Sequence, residues 1–444
     1  MVFRLGLLAV FLFLLNFLLT FISLLLLYEP PLLQDAKFLV QLVEDTHPAF
    51  LDIEPLQDYP KEEYYKAKEQ LLCKAAERDL CTESFYFLCQ HLLATLSDIH
   101  TRMNIPAGEY RYLDVNFICK DNKTFLARGE QYSEDAEVVA IGKVPLSLIY
   151  DVIDSHIPHE SEGGKLYNRE RYLRYEAFHL LAGADAGDEI SIELLSATGK
   201  VSEIAISYNL LQMGEHGASE VVTLSSADND ATDIQPPFIN TECILLEEES
   251  VLLVIIHSCV YDTSLVTTLA MFDQALLNGV KKIVFDVRDN PGGVSSFWSH
   301  FFSYMMLNPG SYGKIERYSK QNYRSPNSFG MSLEMPQPAP QQECDLQIIV
   351  LVNEETYSGA VWLATLISDA NLGLVIGREP GNAASMFGNF VAFSLPNSSL
   401  QGVISTSFFQ RPEPARDTLG GSLMDIIVPH GEDILQTALL YFRD

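Results

Sequence analysis

From residue 251 onward the chain alternates short, largely unbroken apolar runs with amphipathic segments, and this rhythm restricts its fold more than any other feature. Val251–Ile256, Lys282–Val287, Asp345–Val352 and Leu372–Gly377 each read as a buried strand, because a strand wetted on one face would alternate apolar and polar residues. Helical stretches follow near Ser264–Asn278, Ser296–Leu307 and Ala360–Ala370, the first ended by Gly279. Repeated strand–helix units predict a layered α/β core.

The residues ahead of this core divide differently. Residues 34–96 read as helical. In the last of these helices Thr82 is the expected N-cap, and Phe85, Leu88, Cys89, Leu92, Leu93 and Leu96 form one apolar stripe at helical spacing. That helix delivers Asp98-Ile99-His100-Thr101 at its end. Short strands are expected next at Tyr112–Cys119, Thr124–Leu126 and Glu137–Ile141, then helices near Leu146–His156 and Arg169–Leu181, then strands at Glu189–Leu195 and Val201–Tyr208. The expected organisation is therefore a helical N-terminal domain (34–105), a small mixed α/β module (108–212), a polar linker or long loop (213–241) with Pro236-Pro237, and the core (242–444).

Residues Leu5–Leu27 contain no charge. As a helix they span about 35 Å, enough to cross a bilayer core of roughly 30 Å. The run ends in Leu24–Tyr28 and Glu29-Pro30-Pro31, without the small residues of a signal cleavage site. An uncleaved signal anchor is the preferred reading and a cleaved signal with secretion the alternative. Arg4 precedes the run and acidic residues follow it, which puts residues 29–444 on the exported face. Export permits disulfides, but most of the seven cysteines are expected to be small buried apolar residues.

With 29 basic and 59 acidic residues the net charge is −30. Such a surface offers nothing to phosphates, which excludes nucleic acid and anionic membrane surfaces as electrostatic partners. No CxxC or HExxH occurs, so no zinc site and no cofactor are expected.

Three short stretches carry chemistry. Ser358 lies where a buried strand turns into an apolar-faced helix, and Gly359 leaves an unobstructed N–H behind it, suited to holding an oxyanion. The alternative is that Ser358 only caps the helix. Asp289-Asn290-Pro291-Gly292-Gly293 makes a sharp loop at the carboxyl end of a strand, where α/β sheets place their sites. His100 is one of ten histidines, and spacing alone does not single it out. Cys259 beside His257 is a weak thiol alternative, because neighbours on a strand point to opposite faces.

These stretches resemble the S41 serine peptidases, which include the tail-specific (C-terminal processing) and tricorn-type proteases. Val284–Gly293 resembles the family's D-L-R-x-N-x-G-G signature, Val352–Ala360 its nucleophile segment and Gly377-Arg378-Glu379-Pro380 its G-E-P loop. Leu96–Thr101 is similar to the family's D-G-H-T segment, and His47-Pro48 to an early His-Pro pair. The resemblance implies a ClpP/crotonase-like α/β core preceded by a helical domain and a PDZ-like module. It also implies a mechanism. The processing branch uses a Ser–Lys dyad, but the last lysine here is Lys320, upstream of Ser358. The tricorn-type branch uses Ser with His and a later Glu, which points to Ser358 and His100, with Glu413 and Asp417 as candidates for the acid; Asp98 is a further candidate, with poor geometry if 98–100 continue a helix. Oxyanion donors would be Gly359 with Gly292 or Gly293. The sequence departs from the family at Ile99, where glycine is usual, and at Pro380-Gly381-Asn382.

The expected function is a membrane-anchored serine endopeptidase acting on exported polypeptides. The alternative is an inactive protein of the same fold that binds a peptide or a small apolar ligand.

Overall fold

The computed structural model describes residues 29–120, 123–128, 131–185, 187–213, 239–318, 330–334, 345–417 and 423–442. The expected anchor at 5–27 and most of the 213–241 linker lie outside them; among the described residues no helix is long and apolar enough to cross a membrane.

Helices α1 (Pro31–Thr46), α2 (Glu62–Ala75) and α3 (Thr82–Ala94) come first among the described residues. They bury Leu39, Val43, Leu71, Phe85 and Leu92 against one another. The α3 stripe packs inward, but its N-cap is Cys81, whose Sγ accepts the Ser84 N–H, and Thr82 is already helical. The same apolar cluster takes in Leu395, Leu400 and Ile404 from the far end of the chain, so the helical segment rests on the core.

The middle segment is a seven-stranded antiparallel sheet. It runs in the order Gly108–Leu113, Val201–Met213, Glu189–Ser196, Gln131–Ile141, Lys123–Arg128 and Asn116–Lys120, and Val144–Pro145 pairs with Gln131–Ile141. Its helices are α4 (Leu146–His156), α5 (Glu162–Tyr172) and α6 (Glu176–Leu181). The helix expected near 169–181 is thus two. The chain breaks between them because Leu113 N–H bonds Arg174 O and Tyr175 bridges Tyr112, drawing this turn onto the sheet edge.

The core sheet has six strands in the order Ile426–Ile427, Gly373–Gly377, Gln347–Val352, Lys282–Asp286, Val251–Ile256 and Thr241–Leu246. All run parallel except the last. Helices α7 (Thr263–Leu277), α8 (Trp298–Met305) and α9 (Gly359–Asp369) cover one face and α10 (Ile434–Leu439) the other. Ile283, Phe285, Ile348 and Val350 enter the first layer, while Val284, Ile349 and Leu351 enter the second. Covering both faces is what requires apolar residues at successive positions. Both site loops leave the carboxyl ends of adjacent strands.

A second, antiparallel sheet contains Met386–Ser394, Gln401–Gln410, Gly313–Tyr318 and Gly330–Glu334. Arg102–Met103 joins its edge, Arg102 opposite Val403 and Met103 opposite Gly402. This pairing carries the segment just after His100 onto the core.

The middle segment docks through the start of α5. Ser161 Oγ accepts the Gly164 N–H at 2.9 Å and donates to Pro380 O. A Cβ on Gly163 would lie 2.0 Å from Glu379 O, and one on Gly164 2.1 Å from Gly381 O. Backbone cannot retreat as a side chain can. Gly163→Ala is therefore expected to cost about 1–3 kcal/mol in urea unfolding of the full chain; an unchanged midpoint would contradict this docking.

Candidate active site

Ser358 is the first constraint. Its backbone sits at φ +50° and ψ −116°, a conformation that costs a non-glycine residue on the order of 1–3 kcal/mol. It precedes α9, yet its side chain makes no capping hydrogen bond. The capping alternative is therefore not what the side chain does. Surrounding bonds hold the strained turn. Ser358 N–H donates to Asn382 Oδ1 at 2.6 Å, Tyr357 N–H to Asn290 O at 2.8 Å, and Gly381 N–H to Thr356 O at 3.0 Å. Buried Asn382 comes from the very tripeptide in which the sequence departs from the family.

The glycine loop closes against this turn. Asn290 donates from Nδ2 to Ile256 O and accepts the Gly292 N–H on Oδ1 at 2.8 Å. The Gly292 N–H is thus already committed, which removes it from the expected oxyanion donors. Among the described residues no protein acceptor is recorded for the N–H of Gly293 or of Gly359, the first residue of α9. A Cβ on Gly359 would lie 3.2 Å from Gly293 N, so the two segments touch. Gly292 keeps a different role. A Cβ there would lie 2.7 Å from Ser358 Cβ and 2.8 Å from Gly359 N, inside the space in front of the serine.

Ser358 and His100 line the same cavity of about 680 Å³. Residues of α3, of the 99–105 segment, of the middle sheet, of α5 and of Asp289, Pro291 and Tyr357 enclose it. The ring of Phe390 stacks on His100 with centroids 6.4 Å apart.

The acid beside His100 is not where the later candidates lie. Glu413 N–H bonds Asp369 Oδ2 at 3.0 Å, and Asp417 is held by Ser385 Oγ and lies 3.7 Å from Arg411 Nη1. Arg411 in turn pairs with Asp369, the last residue of α9. That end of the helix is about 15 Å from Ser358. Both carboxylates are exposed and neither lines the cavity.

Asp98 and Glu160 stand next to His100 instead. One side-chain atom from each of the three lies within 4.8 Å of the others. Asp98 is fully buried; its Oδ1 accepts the His100 N–H at 2.8 Å and lies 3.6 Å from His100 Nδ1. Its Oδ2 accepts Thr101 Oγ1–H and faces His47 Nε2 at 3.1 Å. His47 Nδ1 accepts the Ala49 N–H, which leaves Nε2 to donate toward Asp98. Burial alone would push Asp98 up, but the imidazoles of His100 and His47 outweigh it and hold Asp98 well below the usual carboxylate range. The unfavourable geometry of residues two apart on a helix does not apply, because Asp98 and His100 lie beyond the helix. α3 ends at Ala94, and Ser97 at φ +45° turns the chain again before Asp98.

Glu160 accepts the N–H groups of Ile99 at 3.2 Å and Ala383 at 3.3 Å, bridging the histidine loop to the segment beside Ser358. Burial and then the charge of Asp98 push it well above the usual range. No motif marks Glu160 in the sequence. Cys259 is buried, and burial pushes its thiol up to about 12, so it stays protonated and unreactive.

Residues 256–403 match the model of the family described as Peptidase family S41. Among solved structures, mature CPAF complexed with lactacystin superposes with a TM-score of 0.62 at 14% identity, covering 92% of this chain and 95% of that one. Mature CPAF superposes with a TM-score of 0.60 at 14% identity, covering 89% and 92%. This likeness is one of fold. No curated protein sequence matches the chain.

Two outcomes test the site. Gly292→Ala is expected to slow fluorophosphonate labelling of Ser358 by about 10²–10³-fold, the usual loss for a spoiled oxyanion hole; labelling at the wild-type rate would contradict the assignment. Glu160 binds its proton more tightly folded than unfolded. Stability therefore falls as pH rises above about 4.3, the unfolded value. Glu160→Gln lacks this term, so its Tm should gain on that of the wild type as pH is raised, and a difference constant with pH would contradict it.

Proposed function

We propose, from the premise that this chain belongs to the S41 family of serine peptidases, that it is a membrane-anchored serine endopeptidase cleaving exported polypeptides. Ser358 is the nucleophile. His100 takes its proton as Oγ attacks the peptide carbonyl, then returns the proton to the leaving amine. Asp98 orients His100 and stabilises the imidazolium, in the manner of a triad acid, and His47 fixes Asp98 from behind. The N–H groups of Gly293 and Gly359 receive the oxyanion, and water then releases the acyl group from Ser358.

One observation carries this reading. A serine in a strained turn, with its hydroxyl left unused by the helix it precedes, shares a cavity with an imidazole backed by a buried carboxylate. Strain at one position is retained where surrounding structure over-determines it, and function is the usual reason. The middle segment supports a PDZ-like role. Its edge strand Gly108–Leu113 brings Glu109, Tyr110 and Arg111 to the cavity, so a substrate strand could add there and run toward Ser358. The uncharged apolar run Leu5–Leu27 supports a site tethered at the exported face.

A fluorophosphonate probe should label the wild type and leave Ser358→Ala unlabelled. His100→Ala should lower the rate of casein hydrolysis by about 10²–10⁴-fold, with Asp98→Asn lower than wild type as well. A wild type that is neither labelled nor hydrolytic at neutral pH would overturn the reading.

A further inference from the structure

We propose that Arg171 is a binding site for a carboxylate of the polypeptide substrate, set inside the cavity that contains Ser358. The inference rests on the peptidase reading above. It begins from a charge anomaly. In a chain of net charge −30, arginines find carboxylates readily. Arg169 pairs with Asp154, Arg288 with Asp286, Arg378 with Glu354 and Arg411 with Asp369. Arg171 does not. Among the described residues no carboxylate lies within 4.0 Å of it; Glu355 feels its charge only from beyond that distance. Its recorded hydrogen bond runs from Nη1 to the hydroxyl of Tyr167 at 3.0 Å.

A guanidinium carries five N–H donors in a planar fork suited to a carboxylate. One bond to a neutral hydroxyl leaves the rest for a ligand. The surroundings sharpen this, because α5 and the turn after it set Tyr167, Tyr172 and Tyr175 beside Arg171 at the cavity wall. Aromatic walls exclude water and strengthen a charged hydrogen bond. The reach is also defined. Tyr357, the residue before the nucleophile, packs its ring 6.0 Å from that of Tyr167. The fork therefore stands within about five residues of extended chain from Ser358. A carboxylate there comes from an acidic side chain near the cleaved bond or from the chain terminus; either would fix the register of the substrate.

The test uses the full chain and a proteome-derived peptide library, with cleavage products read by mass spectrometry. An acidic residue, or the free terminus, should be enriched at one fixed position within that reach. The best-cleaved peptide is then made as Glu and Gln forms and as acid and amide forms. The charged form of one pair should show a kcat/KM at least about tenfold higher, the worth of one charged hydrogen bond. Which pair discriminates tells the two sources apart. Arg171→Gln should shrink that ratio to within about twofold, whereas Arg171→Lys should keep part of it. Cleavage with no preference for charge in either pair, or a ratio unchanged in Arg171→Gln, overturns this inference alone; should the variant fail to fold, the wild-type ratios still decide. A wild type neither cleaving nor labelled by a fluorophosphonate overturns the peptidase reading and this inference with it.

Discussion

The whole site depends on a two-residue strand. Arg102–Met103 pairs with Gly402–Val403 on the edge of the second core sheet, joining positions three hundred residues apart. Thr101 reinforces the junction, its Oγ1 accepting the Ser405 N–H at 2.9 Å while its own proton goes to Asp98. That edge pairing gives the segment just after His100 its backbone bonds to the core. Gly402 makes the close approach possible, since a Cβ there would lie 2.7 Å from Arg102 O.

Around this junction the loops fix one another by polar bonds at the end of an apolar sheet. Asn290, Asn353 and Asn382 are all buried, and each satisfies backbone groups of a neighbouring loop. Buried amides are costly when unpaired and rigidifying when fully paired. Here they keep Ser358 in a backbone conformation it would not adopt alone. Ser161 and Glu160 add the middle segment to the same network through Pro380 and Ala383. The cavity is consequently walled by three parts of the chain and opens onto one hydroxyl.

The core was legible because its strands are buried on both faces, which writes an apolar residue at nearly every position. Ser358 was legible for a related reason, as the polar residue where such a strand meets a helix. The second sheet was not, because Ser405, Thr406 and Ser407 are buried polar residues that interrupt the apolar pattern of Gln401–Gln410. His100 was proposed only through family resemblance; ten histidines carry no spacing signal. Asp98 was undervalued because nothing local announces that the helix ends at Ala94 and that Ser97 then takes a positive φ. Asn382 and Glu160 act through bonds to residues 24 and 223 positions away, a kind of information no local pattern contains. The later acids, Glu413 and Asp417, were suggested by the order of the family's motifs, but the Glu413 N–H bond to Asp369 and the pairing of Asp417 with Arg411 hold them at the far end of α9.

The central claim is that Ser358 and His100 meet as nucleophile and base. It is tested most directly by an experimental structure of the protein phosphonylated on Ser358. The account expects the His100 imidazole within about 3.2 Å of Ser358 Oγ, with its other nitrogen turned to Asp98. A ring facing away, with another basic group or none at the serine, would contradict it.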